Sequence, residues 1–296
     1  IPLFFNGREP ASKLRPDLAE LGGVLPEGSS IAKVTELDPD AFVSFIDEFN
    51  HNLIGHSYFK ERLRHSLKNF ISLNKAKEQK VLSVFLFGAS GIGKTEVARL
   101  IANGLLSNAY LAKINFQNYS SQDALNSLIG SPAGYVGCNH GELSEKIQKS
   151  KVGVLLCDEF EKTTRPVYSF FLELLEEGRF TDSMAREYDM DGYVIIFTSN
   201  IPNESEYKKN IPPELQTRFD LVCEFEEPTP SEKEHFLELL LEKAVLKYPD
   251  KFSAYEITSA DKQALFNFDY SGITALRDIK RVFNNRLMDF FDQKGL

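Results

Sequence analysis

A chain of 296 residues with 42% apolar and 26% charged residues has the composition of a globular protein of one large domain or two modest ones. No apolar run approaches the ~18 residues that span a bilayer, and nothing at the N-terminus reads as a secretory signal, so membrane insertion and export are not supported. A net charge of −9 argues against broad electrostatic binding to nucleic acid, which needs clustered Lys and Arg. The chain begins at Ile1, as a processed or excised piece would. Its cysteines, Cys138, Cys157 and Cys223, lack metal-ligand spacing and cannot all pair with one another; Cys157 and Cys223 lie in apolar runs. A reducing, cytoplasmic setting fits such a set.

Residues 1–37 contain four prolines and four glycines and read as irregular, draped over a neighbouring surface. Asp38-Pro39 is a helix start, Asp as N-cap and Pro at the first helical position. Phe42, Phe45, Ile46 and Phe49 then recur at helical spacing and predict a buried face. His51–Gly55 is a short turn before a second helix with Phe59, Leu63, Leu67 and Phe70. Asn74–Lys80 reads as a polar, exposed linker.

Val81–Phe87 is an apolar run of strand length, followed by Gly88-Ala89-Ser90-Gly91-Ile92-Gly93-Lys94-Thr95. That octet fits G-x-x-x-x-G-K-[ST], the phosphate-binding loop. Glycines let the backbone curl so that N–H groups face phosphate oxygens. Lys94 is expected to reach the β- and γ-phosphates, and the Thr95 hydroxyl to meet Mg2+. Residues 96–102 have helical apolar spacing, which puts the phosphates at a helix N-terminus.

Leu111–Phe116 reads as a second strand, then a polar loop. Residues 125–143 carry four glycines and a proline, which exclude a regular element through the centre of the stretch. Tyr135 and Val136 stand between Gly134 and Gly137 as either a packed turn or an exposed gripping tip. Val152–Cys157 is a buried strand ending in Asp158-Glu159. After a phosphate loop, this pair suits Mg2+ binding by Asp158 and polarisation of the attacking water by Glu159; the bland alternative is a solvated strand end.

Tyr168–Leu175 is helical and Gly178 is its C-cap. Tyr193–Phe197 is another buried strand running into Thr198-Ser199-Asn200, a polar tip at the ligand edge of the sheet if the strands are parallel. Leu221–Phe225 is the last strand. Two prolines in Glu226–Pro230 mark a hinge, after which Ser231 is expected to cap a helix with Glu234 completing a capping box. Phe236, Leu237, Leu240, Leu241 and Ala244 stripe that helix, and residues 260–268 and 274–291 add further helices. The expected division is 1–49 as an irregular segment and helix, 50–226 as an α/β subdomain and 227–296 as a small helical one.

In this order the segments resemble the Clp-type AAA+ ATPases, above all the second ATPase domain of the bacterial disaggregase ClpB and its relatives. The resemblance covers about residues 50–290. It is carried by Leu128-Ile129-Gly130-Ser131-Pro132-Ala133-Gly134-Tyr135-Val136-Gly137, by Asp158-Glu159-Phe160-Glu161-Lys162 continuing through Leu174–Asp182, and by Val194–Asn200. It implies a P-loop α/β fold with a central parallel sheet flanked by helices and a C-terminal helical lid. It also implies ATP with Mg2+ at the interfaces of a homo-oligomeric ring, a hexamer. Tyr135 and Val136 match the pore loop that grips unfolded or tagged polypeptide, and Asn200 matches sensor 1. Arg218 matches the arginine finger given to a neighbour's ATP; its plainer alternative is an interface salt bridge. Leu53-Ile54-Gly55 matches the turn at the adenine.

The sequence departs from the family in Cys138-Asn139-His140-Gly141, one residue shorter than the usual stretch after the pore loop. For sensor 2 one register puts Arg277 at the family arginine and another puts Thr274 there; the continuation Ile279-Lys280-Arg281-Val282 favours Arg277. No Ile-Gly-Phe or Ile-Gly-Leu loop of the kind that docks a peptidase ring is present, so peptidase docking is not supported. The function implied is an ATP-hydrolysing protein unfoldase or remodeller threading polypeptide through a ring pore. The alternative is a nucleotide-controlled assembly scaffold or switch without translocation.

Overall fold

The structure, a computed structural model, describes residues 31–119, 121, 123–131, 141–253 and 255–295. Its centre is a parallel sheet of β1 (Val81–Gly88), β2 (Ala112–Asn115), β3 (Val154–Asp158), β6 (Tyr193–Thr198) and β7 (Leu221–Phe225), in the order β2-β3-β6-β1-β7. All eight residues of β1 are buried, as expected for a central parallel strand covered on both faces. Side chains alternate between those faces. Leu82, Val84 and Leu86 join Val194 and Ile196 in one core cluster, whereas Phe85 and Phe197 meet Phe219 on the other side.

The first cluster packs under α1 (Pro39–Asn52), α2 (Ser57–Lys75) and α3 (Lys94–Leu105). Asp38 caps α1 as expected, accepting from Ala41 N at 2.8 Å. Phe45, Ile46 and Phe49 reach the sheet core, so α1 belongs to the same layer as α2. Val34 is fully buried there too, and Ala32 bridges Val152 beside β3. Within the expected linker Lys75, Ala76, Lys77, Glu78 and Lys80 are exposed, but Asn74, in the last turn of α2, is 7% exposed and donates to Gln79 O at 3.0 Å and Asp191 Oδ1 at 2.8 Å. A buried amide is needed because the chain reverses there from α2 into β1, leaving backbone carbonyls that must find donors.

The aromatic face packs against α6 (Arg165–Glu177), with Phe171 and Phe160 against Phe197. Gly178 ends α6 at φ 64°, the left-handed cap expected of it. It leads into a hairpin, β4 (Arg179–Thr181) with β5 (Glu187–Asp189), that no apolar run announces. On either side of residues 132–140 the chain is helical, as α4 (Ala124–Ile129) and α5 (Glu142–Lys149). Tyr135, Val136 and Cys138 lie outside the described residues. Between β6 and β7 run α7 (Glu204–Asn210) and α8 (Pro213–Gln216).

A second core cluster follows β7. It gathers α9 (Pro230–Lys247), α11 (Ser259–Phe266) and α12 (Leu276–Lys294) around Leu237, Leu240, Leu241, Ile279, Phe283 and Leu287; the short α10 (Pro249–Ser253) lies between α9 and α11. The cap of α9 is Thr229 with Glu232, not Ser231 with Glu234. Pro230 occupies the first helical position, whose N–H is unused in any case, so the helix starts two residues earlier and the box shifts with it. The turn before α2 spans both cores: Leu53 belongs to the sheet cluster and Ile54 to the second.

Candidate nucleotide site

The C-terminal ends of β1, β3 and β6 open onto a cavity of about 440 Å3. That is within the ~300–1,000 Å3 typical of small-molecule sites. At the end of β1 the chain turns at Gly88, φ 135°, where an added Cβ would stand 2.3 Å from Phe225 O. Ser90, Gly91, Gly93, Lys94 and Thr95 line the cavity; Gly88, Ala89 and Ile92 form the back of the loop. Ile92 is 1% exposed and anchors the loop in the sheet core. Lys94 opens α3, is 6% exposed, and donates to Gly88 O at 2.7 Å and Ala89 O at 2.5 Å, with Asn200 Oδ1 at 3.4 Å. Burial lowers its pKa to about 8, while the nearby charges of Glu161 and Asp158 hold the proton on.

Asp158 ends β3 and is more fully engaged than a strand-end acid in solvent. Thr198 Oγ1 donates to its Oδ1, Thr95 Oγ1 lies 3.4 Å from the same oxygen, and Lys113 Nζ lies 2.5 Å from Oδ2. Burial alone would raise its pKa; the hydrogen bonds from Lys113, Thr198 and Thr95 outweigh that and hold it below the ordinary carboxylate value. Glu159 follows in the left-handed conformation, φ 57°, and pairs with Lys162 at 2.6 Å. A non-glycine residue held there turns its carboxylate off the strand direction and toward the cavity wall that it helps to form. Glu161 Oε1 accepts from Asn200 N at 3.1 Å and so fixes the turn that presents the Asn200 side chain.

The roof comes from the second core. Phe236, Leu240 and Lys243 of α9 and Leu276, Arg277 and Lys280 of α12 face the same space. Ala275 lies against the loop, its Cβ 2.8 Å from where a Cβ on Gly91 would be. Of the two sensor 2 candidates, Arg277 lines the cavity and Thr274 does not. Leu53 and Ile54 are buried at 3% and 5% and lie off the wall, which Asn52 reaches instead. Arg218 is also away from it, paired with Glu176 at 3.2 Å.

Sequence reasoning missed Lys113, Arg99, Lys243 and Lys280. Only Lys113 left a signal, as a lysine inside an apolar strand. With Lys94 and Arg277 they make six cations around the cavity against Glu96, Asp158 and Glu159. A cationic cavity in a chain of net charge −9 suits a polyanionic ligand. The hydroxyl of Thr95 and the carboxylate of Asp158 are the hard oxygen donors that Mg2+ takes, so the residues fit a Mg·nucleotide.

Residues 79–222 match the AAA domain family (Cdc48 subfamily). The chain is 27% identical over 282 residues to the chaperone protein ClpB of Clostridium tetani, covering 88% of this chain and 33% of that protein. It is 25% identical over 323 residues to the ATP-dependent Clp protease ATP-binding subunit ClpA homolog of Guillardia theta, covering 98% and 39%. Among solved structures, the S. cerevisiae Hsp104:casein complex in its extended conformation superposes with a TM-score of 0.74 at 22% identity, covering 94% of this chain and 52% of that one. The fold is thus an AAA+ domain, with a central parallel sheet flanked by helices and a helical C-terminal region. The chain spans little more than a third of the length of these curated relatives.

Proposed function

We propose, from the premise that this chain is a relative of the Clp-type AAA+ proteins, that it binds and hydrolyses ATP in a homo-oligomeric ring, a hexamer, and threads unfolded or tagged polypeptide through the ring's pore. One observation carries the reading. Lys94, Thr95, Asp158, Glu159 and Asn200 come from three separate chain segments and meet on one cationic cavity at one sheet edge. A merely structural set of polar residues would have no reason to converge there.

Thr95 and Asp158 would hold Mg2+, which would supply positive charge against the nucleotide's phosphates. Lys94 would exchange its loop carbonyls for phosphate oxygens. Glu159 would take the proton of the attacking water, Asn200 would orient that water, and Arg277 would bring the roof helix against the phosphates. Arg218 faces away from its own cavity, which supports assignment to the neighbour's site, where a trans arginine is worth about 10³–10⁵ in rate. Leu53 and Ile54 support the adenine from behind rather than lining its space. Tyr135 and Val136 are assigned the polypeptide grip on sequence alone.

The ATPase part is assigned to 50–226 and the lid to 227–296; the two core clusters support the second boundary, whereas the sheet cluster also takes in Val34, Phe45, Ile46 and Phe49 ahead of the first. Among the described residues no helix is long and apolar enough to cross a membrane, and Cys157 and Cys223 are free and buried; both support a cytoplasmic setting. The names of the relatives, a chaperone and an Hsp104:casein complex, support polypeptide over nucleic acid as client.

Two variants test the reading. Glu159→Gln should retain ATP binding and lose turnover, because an amide cannot accept the water's proton. Tyr135→Ala should hydrolyse ATP yet fail to unfold a tagged fluorescent client. Wild-type turnover by Glu159→Gln would sink the catalytic assignment, and unfolding by Tyr135→Ala would favour the scaffold or switch.

A further inference from the structure

Asp158 Oδ2 is held by the ammonium of Lys113 at 2.5 Å, a contact that the phosphate-loop reading does not require. Lys113 lies on β2 opposite Leu156 and Asp158 at the end of β3, two residue pairs along and on the same face, so the sheet itself brings them together. The Asp158 side chain is 16% exposed, an enclosure in which its charge is costly and draws a counter-cation. The Lys113 side chain is 36% exposed and stands on the cavity wall, with room to leave. Its backbone is fixed separately. Lys146 Nζ donates to Lys113 O at 2.5 Å and also pairs with Glu142, which Tyr119 holds through its hydroxyl. The ammonium can therefore swing while the strand stays.

We infer that Lys113 is the resident counter-cation of Asp158, and that nucleotide-bound Mg2+ must displace its ammonium before Asp158 can serve the metal. The inference rests on the nucleotide-site reading above. An ammonium and a divalent cation beside one carboxylate repel strongly in a partly enclosed site. Lys113 therefore sets the Mg2+ concentration at which nucleotide is held. It also softens the penalty when Mg2+ is absent, because without it the Asp158 charge would face the phosphates unshielded. Removing the ammonium should strengthen Mg2+-dependent binding and weaken Mg2+-free binding together, as reciprocal coupling requires.

The test is fluorescence titration with N-methylanthraniloyl-ADP on the full chain, in EDTA and over a MgCl2 series, with no turnover involved. For Lys113→Met the Mg2+ midpoint should fall by about fivefold or more, and affinity in EDTA should fall. Lys113→Arg, which restores the charge, should stay within about twofold of wild type. Lys113→Gln replaces the methionine variant if circular dichroism shows that the latter does not fold. An unmoved or raised Mg2+ midpoint in a chain that still binds the nucleotide would overturn the role of Lys113 and leave the nucleotide site standing. Failure of the wild type to bind N-methylanthraniloyl-ADP at any Mg2+ concentration would overturn both.

Discussion

Ser83 Oγ lies 2.7 Å from the Arg218 carbonyl oxygen and 2.7 Å from Asp220 Oδ2. Ser83 N also donates to that carboxylate at 2.7 Å, and Asp220 N donates back to Ser83 Oγ at 3.0 Å. Ser83 is 1% exposed and sits mid-way along β1, the strand that ends in the phosphate loop. The backbone at Arg218 is therefore tied to the strand that leads into the loop of Lys94, although its side chain pairs with Glu176. Ser83→Ala leaves buried acceptors short of a donor and should cost about 1–3 kcal/mol in urea unfolding. ATP turnover should fall as Arg218 loses its seat, while N-methylanthraniloyl-ADP affinity holds. Unchanged turnover would show that the tie serves folding alone.

Arg218 and Glu159 belong to different halves of a shared site if Arg218 acts in trans. Arg218→Ala and Glu159→Gln should each be inactive alone. Mixed rings should regain part of the activity, because some interfaces then join two intact halves. Phosphate release from mixtures, with mixed assembly verified by native mass measurement, is the readout; inactive mixed rings would remove the trans role.

The lowered pKa of Lys94 predicts opposite pH trends for binding and stability. Burial brings it to about 8 from 10.5, so the loop's positive charge is present below pH 8 and lost as pH rises through it. Nucleotide affinity should decline from about pH 7 to 9.5, approaching tenfold per unit above pH 8. The unfolded chain binds more protons at this site between pH 8 and 10.5, so the same group makes folding more favourable with rising pH across that window. Affinity lost without a drop in melting temperature would fit; a Lys94→Met chain with the same pH slope would not.

The capping box of α9 is the first ordered turn of the second core. Thr229 N and Oγ1 meet Glu232 Oε2 at 2.7 and 2.9 Å, and the Glu232 carboxylate fills the space beside Gly55 that a Cβ would need, 2.7 Å away. Thr229→Ala should destabilise by about 1 kcal/mol, whereas Ser231→Ala should be near neutral. Chemical denaturation of the two variants decides between the observed cap and the one expected from sequence.

The strands were legible because each central one is a continuous apolar run, and the phosphate loop because glycine spacing and Lys94-Thr95 leave few other readings. Asp158 and Asn200 followed from their strand ends. Other features had no local signature. Three-residue strands such as Arg179–Thr181 show no periodicity. Thr229 was hidden by a competing Ser231 three residues before a Glu. The roof residues Lys243 and Lys280 sit about 150 residues or more beyond Lys94, and a helical stripe says that a face is buried without saying against what. Lys113 shows the limit most plainly: its type was visible, but its partner was set by β2–β3 register.

The strand order also governs how the chain reaches this structure. β1 is made first yet pairs with β6 and β7, more than a hundred residues later, while β2 and β3 are held through β6. Val81–Gly88, an apolar segment of high strand propensity, thus has no partner until residues through Thr198 have been synthesised, and its other edge none until Phe225. During that interval it is open to pairing with another nascent copy. Folding should be slow and concentration-sensitive, with refolding yield falling as chain concentration rises, and truncation before Tyr193 should leave an aggregating product rather than a smaller folded one.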